Sequence, residues 1–271
     1  MNDLLNTKLV ALEAWLRSAG EVAVAVSGGV DSLTLACIAQ STLGGAAEMF
    51  HAISAAVPAE ATRRVQALAA GQNWKLRVFN AGEFDRAEYR ANPVNRCFFC
   101  KTSLYGSIRP LTTAQLVSGT NLDDLGEFRP GLIAAKEHNV RHPFVEAGID
   151  KLTVRALARN LNLPDIAELP AAPCLSSRVE TGIRIEPEML GRIHAAELMI
   201  AESIAPQTVR CRVRASGVVI ELDGVSLAQL TPERRKTLSG SVAGVFGYSG
   251  SDASVSFTRY RTGSAFLTAQ S

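Results

Sequence analysis

The chain has 271 residues, enough for one large domain or two modest ones, and 47% of them are apolar, which suits a well-buried core and excludes a disordered chain. Acidic and basic residues nearly balance at a net charge of +2, so no general polyanion-binding surface is implied and nucleic acid is not an expected partner. No apolar run approaches membrane length, and residues 1–16 read as an amphipathic helix rather than a signal peptide, so the expected setting is the cytoplasm, away from membranes.

A first helix is predicted over residues 4–18. Val22 to Val26 are small or β-branched apolar residues, too few for a helix and suited to a buried parallel strand. They run into Ser27-Gly28-Gly29-Val30-Asp31-Ser32 and an apolar helical pattern over residues 32–43. Two glycines let successive N–H groups point into one concavity at a helix N-terminus, so the loop is expected to hold an anion, best a phosphate. The loop is neither G-x-x-x-x-G-K-[ST] nor G-x-G-x-x-G. It resembles instead the pyrophosphate loop of the ATP pyrophosphatases, which split ATP between its α and β phosphates. That resemblance implies that Ser27, Gly28, Gly29 and Ser32 cradle pyrophosphate and that Asp31 helps hold Mg²⁺.

The alternation then repeats, with a strand over 49–57, a helix over 59–70, a strand over 75–79 and a short strand over 115–118. Such alternation predicts an α/β fold, a parallel sheet with helices on both faces, over residues 1–170. Gly119, Asn121, Asp123 and Asp124 fall at the end of the last of these strands. Alone they would be turn formers, but in the same sheet as the glycine loop they read as part of a nucleotide and metal site, Asp124 ahead of Asp123. Helices are expected from Arg129-Pro130-Gly131 to about residue 138 and over 151–160. Pro164, Pro170 and Pro173 then mark a boundary, after which a smaller α+β domain occupies residues 171–271.

Five cysteines, an odd number, argue for thiols that serve chemistry or a metal rather than a disulfide framework. Cys97 and Cys100 lie between a turn at Asn92-Pro93-Val94-Asn95 and a helix predicted from Lys101. They could bind a metal or cluster, form a redox pair, or be small core residues. Cys174 precedes Leu175-Ser176-Ser177-Arg178, a polar loop expected to be exposed, where Arg178 would favour the thiolate. Cys37 and Cys211 read as structural.

In the second domain a helix is predicted over 187–200, leaving Glu197 as a solvated residue. Val209 to Arg214 alternate strictly, placing Arg210, Arg212 and Arg214 on one face of a strand. Three guanidinium groups in a row repel unless an anion meets them, so either a substrate phosphate or a charge-guarded edge strand is implied. A hairpin to residues 218–222, a helix over 232–238, a strand over 254–259 and a second possible anion contact at Tyr260-Arg261-Thr262-Gly263-Ser264 complete the chain.

Taken in order, the loop 27–32, Asn95-Arg96-Cys97-Phe98-Phe99-Cys100-Lys101, Gly119 to Asp124, Arg129-Pro130-Gly131, Pro173 to Arg178, Arg212-Val213-Arg214 and residues 260–264 resemble the LarE family of ATP-dependent sulfur transferases. Those enzymes serve synthesis of the nickel-pincer nucleotide cofactor. The resemblance implies that ATP adenylates a carboxylate of pyridinium-3,5-biscarboxylic acid mononucleotide, and that sulfur then displaces AMP to give a thiocarboxylate. It implies a sulfur-handling role for Cys174, substrate contacts from Ser177, Arg178, Arg212, Arg214 and Arg261, and a substrate- or metal-site role for Glu197. Cys97, Cys100 and Cys174 fit the members whose three cysteines hold a [4Fe-4S] cluster. Other members sacrifice a cysteine sulfur, the alternative role for Cys174. The remaining alternative is another pyrophosphate-loop synthetase or thiolase. The expected partner is a small-molecule nucleotide, in a homo-oligomeric enzyme. Two stretches depart from the family pattern: Ile166 to Pro170, and residues 50–60 after the second strand.

Overall fold

The computed structural model describes residues 3–126, 129–171, 173–248 and 254–261. In chain order the elements begin with α1 (Asp3–Ala19), β1 (Val22–Ala25), α2 (Val30–Leu43), β2 (Ala47–Ala52), α3 (Ala59–Gly71), β3 (Lys75–Phe79), α4 (Ala87–Arg90), α5 (Arg96–Ile108) and β4 (Gln115–Ser118). Next come α6 (Pro130–Glu137), α7 (Pro143–Glu146), α8 (Lys151–Asn160), α9 (Pro164–Ala167) and α10 (Pro187–Ile204). The chain continues with β5 (Val209–Arg214), β6 (Gly217–Leu222), α11 (Gly224–Ala228), α12 (Pro232–Phe246) and β7 (Val255–Arg259). Two compact units result, residues 1–85 with 95–172 and residues 86–94 with 173–271.

The first unit is the α/β sheet expected from the strand–helix alternation, all parallel, in the order β3-β2-β1-β4. The central strand β1 is buried along its whole length. Its side chains alternate between two cores. Val22 and Val24 join Leu12 and Leu16 of α1, Leu33 of α2 and Val154 of α8, whereas Ala23 and Ala25 join Tyr105 and Ile108 of α5 and Ala135 of α6. Burial on both faces is why this strand is apolar at every position. The chain steps from β1 outward to β2 and β3, then returns to place β4 on the other side of β1. That reversal opens a crevice at the carboxyl ends of β1 and β4, where sheets of this kind receive ligands.

Local boundaries differ most from the sequence expectation in three places. The strand expected over 49–57 ends at Ala52, because Val57 N–H turns back to Ser54 O and Pro58 offers no N–H to a ladder. Helix α5 begins at Arg96 rather than Lys101, with Phe98 N–H bonded to Asn95 O, so both cysteines are helical. Helix α12 continues past residue 238 to Phe246, since Val242, Ala243 and Phe246 extend its buried side.

The second unit carries a three-stranded sheet in the order β5-β6-β7, with β5 and β6 antiparallel and β6 and β7 parallel. Helix α10 packs on β5 and α12. Residues 86–94, placed with the first domain by their sequence position, group here instead. Several bonds tie them in: the buried Asn92 side-chain amide donates to the carbonyls of Glu180 (2.8 Å), Ile183 (2.9 Å) and Val179 (3.3 Å), while Ile185 N–H donates to Arg90 O (2.8 Å) and Gly182 N–H to Asn92 O (2.9 Å). No helix among the described residues is long and apolar enough to cross a membrane.

Candidate functional site

Loop 27–32 leaves β1 and enters α2 at the carboxyl end of the sheet. Ser32 Oγ ties it together, accepting the Ser27 N–H (3.1 Å) and donating to Gly29 O (3.2 Å). Gly28 has φ +83°, and a Cβ there would sit 2.8 Å from the carbonyl oxygen of Ala61 on α3. Gly119, just past β4, is as tightly placed: a Cβ would lie 2.8 Å from Asp31 C and Ser32 N. The two strand-end loops are therefore in backbone contact at the crevice between β1 and β4. Backbone donors at the start of a 14-residue helix make this a chemically suitable seat for an anion.

Asp31 faces that seat with both carboxylate oxygens engaged. Asn121 Nδ2 donates to Oδ1 (3.0 Å) and Lys151 Nζ to Oδ2 (2.5 Å). The remaining acids of the β4 loop hold its shape: Asp124 Oδ2 accepts Asn121 N–H (3.1 Å), Asp124 Oδ1 pairs with Arg129 (2.9 Å), and Asp123 Oδ2 accepts Lys151 N–H (2.9 Å). Thus Asp31, Asn121 and Asp124 come together as their positions at strand ends suggest, and Asp123 serves the turn. Lys151 joins them from 120 residues away. It opens α8 after the capping Asp150, and its spacing alone carries no signal of this contact.

Histidines support both loops. Val26 O can only accept, so the His51 Nδ1–H donates to it (2.8 Å), and Nε2 accepts from the Thr62 hydroxyl (2.9 Å). Burial lowers the His51 pKa, keeping the neutral ring that this pattern requires. His142 Nδ1 bonds Ser118 Oγ (2.9 Å), which also reaches Thr120 Oγ1 (3.0 Å); burial lowers the pKa of His142 too. Neither histidine stands in a recognisable motif.

None of the five cysteines is in a disulfide. Cys97 and Cys100 occupy the first turns of α5, three residues apart and so on one side, partly exposed. Cys174, also partly exposed, belongs to the second unit. Cys37 and Cys211 are buried, and burial pushes the Cys37 thiol up to about 11 and the Cys211 thiol up strongly, which makes both inert. Among the described residues no three His, Cys, Asp or Glu side chains gather as ligands for a metal ion.

In the second unit Leu175–Arg178 forms a 3₁₀ turn whose side chains are buried, correcting the expectation of an exposed loop. Tyr89 and Ser176 hydroxyls bond at 2.6 Å, and Val179 bridges to Val213 of β5. Arg178 donates through Nε and Nη2 to the two oxygens of Glu197 (3.0 and 3.2 Å) and through Nη1 to Pro173 O (2.6 Å) and Cys174 O (3.3 Å). Glu197 is therefore not solvated but 8% exposed, and it also accepts Cys211 N–H (2.9 Å). Arg212 and Arg214 meet an internal anion. Glu221 on the adjacent strand takes Arg212 Nε (2.9 Å) and Arg214 Nη2 (3.0 Å), while Arg212 Nη1 donates to Ser177 O (2.7 Å). Arg210 stacks on the Tyr260 ring at 5.7 Å, and burial lowers its pKa. Arg261 is exposed, and Thr262, Gly263 and Ser264 of the second anion contact lie outside the described residues, as does Glu127 of the β4 loop.

No protein-family model matches the chain. It is 35% identical over 234 residues to the uncharacterized protein slr1717 of Synechocystis, spanning 85% of this chain and 87% of that one. Over 153 residues, 54% of this chain and 58% of the other, it is 29% identical to the uncharacterized protein MJ0830 of Methanocaldococcus jannaschii. Over 223 residues, 80% of each chain, it is 27% identical to the pyridinium-3,5-bisthiocarboxylic acid mononucleotide synthase of Lactiplantibacillus plantarum.

Proposed function

Because the chain belongs to the family of the Synechocystis protein slr1717 and is a more distant relative of the Lactiplantibacillus synthase, we propose that it is an ATP-dependent sulfurtransferase acting on a pyridinium carboxylic acid mononucleotide. One observation carries the reading: Ser-Gly-Gly-Val-Asp-Ser joins the central strand to a helix, at the point where the sheet reverses its strand order. In this reading loop 27–32 seats the β and γ phosphates, and Asp31 with Asn121 and Asp124 forms the Mg²⁺ side of the site. An acceptor carboxylate oxygen attacks the α phosphorus, the bond to the β phosphate breaks, and pyrophosphate leaves. Sulfur then attacks the carboxyl carbon and AMP departs with the carboxylate oxygen.

In the second unit Cys174 would handle sulfur. Ser177, Arg178 and Arg261 would contact the acceptor and Arg212 and Arg214 its phosphate, with Glu197 and Glu221 orienting the guanidinium groups. Cys97, Cys100 and Cys174 are partly exposed and in no disulfide, which fits thiolate ligation, whereas Cys37 and Cys211 are buried. They would hold a [4Fe-4S] cluster, which when bound supplies a sulfide-carrying iron. The test is iron and acid-labile sulfide in protein purified without oxygen, with mass spectrometry of the acceptor after incubation with ATP. The reading expects a thiocarboxylate product, and about four iron and four sulfide per chain that are lost when any of the three cysteines is replaced. Iron-free protein that still makes thiocarboxylate would remove the cluster and leave Cys174 as a one-use donor. A failure to modify any pyridinium carboxylate would overturn the function.

A further inference from the structure

Arg64, on the buried side of α3, donates from Nη1 to Gly28 O at 2.5 Å, reaching back 36 residues to loop 27–32. Among the described residues no carboxylate pairs with it, while its neighbour Arg63 takes Glu60. The peptide plane decides what this contact does. In a trans peptide the carbonyl and the N–H of the next residue point in opposite directions, so the Gly28 carbonyl aimed at Arg64 aims the Gly29 N–H away from it, into the loop. Among the described residues that N–H has one acceptor, Ser27 Oγ at 3.5 Å, the outer limit of a hydrogen bond. A donor is thus held open on the concave side while a cation sits behind it.

We infer that Arg64 is a positioning residue for anion binding: it locks the Gly28–Gly29 peptide and polarises it, so that the Gly29 N–H donates to a phosphate oxygen of the nucleotide's pyrophosphate moiety. Three features support this. Gly28 has positive φ and its backbone packs directly against Ala61 of α3, the helix that carries Arg64. Hydrogen bonds in series strengthen one another, and a charged donor at one end of the peptide makes the other end a better donor. A guanidinium without a counter-charge also adds positive potential at the loop that an anion would neutralise. Arg64 stands in no motif, and it takes up a role on the loop from a neighbouring helix.

The inference rests on the nucleotide reading above and is tested by calorimetric binding of Mg²⁺-pyrophosphate and of AMP to the full chain, wild type against R64K, R64Q and R64M. Gln keeps a donor without charge, Met keeps the apolar stem alone, and Lys keeps charge and donor. Expected is a loss of pyrophosphate affinity of roughly tenfold in R64Q and R64M, the order one unit charge produces across about 10 Å near a protein surface. R64K should stay close to wild type, AMP affinity should be unchanged in all three, and unfolding temperatures should be level. Pyrophosphate binding equal to wild type in either uncharged variant, or a loss in R64K equal to that in R64Q, would overturn the role of Arg64 and leave the nucleotide reading intact. Failure of the wild type to bind either ligand would overturn both.

Discussion

The first unit's loop site and the second unit's arginine cluster both gather positive potential, by opposite means. At loop 27–32 the potential comes from backbone N–H groups, a helix N-terminus and Arg64, and its carboxylate, Asp31, is about a quarter exposed and paired with a partly exposed Lys151. At β5 the potential comes from guanidinium groups already matched by Glu197 and Glu221, both at least nine-tenths buried. The first arrangement costs the fold little and leaves donors for a ligand. The second is built into the core, because a buried ion pair that loses one partner strands the other without solvent. The lesson is that a row of arginines in sequence is not itself an open anion site; its carboxylates must be located first.

That contrast predicts a graded set of effects. Removing the carboxylate at the buried cluster with E221A should cost about 3–5 kcal/mol in urea unfolding, because Arg212 and Arg214 lose their shared acceptor; a cost below about 1 kcal/mol would show that solvent already reaches them. Next, G119A should cost about 1–3 kcal/mol and weaken ATP binding at the same time, since its Cβ meets the Asp31–Ser32 backbone rather than a yielding side chain. Intact nucleotide affinity in a stable G119A protein would separate the β4 loop from the site. D31N should change stability by less than about 1 kcal/mol, its pair with Lys151 being part-exposed, yet abolish Mg²⁺-dependent turnover. Smallest should be the pH effect of His51.

The direction of that effect follows from its burial. The folded-state pKa of His51 lies below the ordinary 6.5, so the unfolded chain binds more protons as pH falls. Stability contributed by the neutral ring is complete above 6.5 and is lost as pH drops from there toward the folded pKa. H51Q should flatten this part of the stability profile, read from unfolding midpoints between pH 7.5 and about 5. An unchanged slope would assign the acid sensitivity to other groups, His142 first.

Much of the first unit was legible in sequence because its cues are local. An apolar strand, two glycines and a helical period within some twenty residues specify β1, the loop and α2 together, and proline and asparagine punctuation marks most later boundaries. Gly119 and Asn121 were legible by position, at the end of a strand in the same sheet. What escaped were partners supplied by the fold alone. Lys151 and Arg64 reach the loop from 120 and 36 residues away, and neither lies in a spacing pattern. Glu197 looked solvated because a lone acid on a helix usually is; only the turn at Arg178 and the β5 backbone bury it. Glu221 alternates with apolar neighbours on β6, a pattern that in retrospect pairs it across the hairpin from Arg210, but an edge strand with exposed charges would read the same. The 86–94 segment groups with the second unit through Asn92, Tyr89 and backbone bonds to residues about 90 positions away, contacts no local pattern announces.

The most direct test of the central claim is the fate of ATP. Wild-type protein, incubated without oxygen with Mg²⁺-ATP and the pyridinium biscarboxylic acid mononucleotide, should release AMP and pyrophosphate in equal amounts, only when the acceptor is present, and not at all in D31N. Release of ADP and phosphate, or of AMP and pyrophosphate at the same rate in D31N, would contradict a nucleotide site built on loop 27–32.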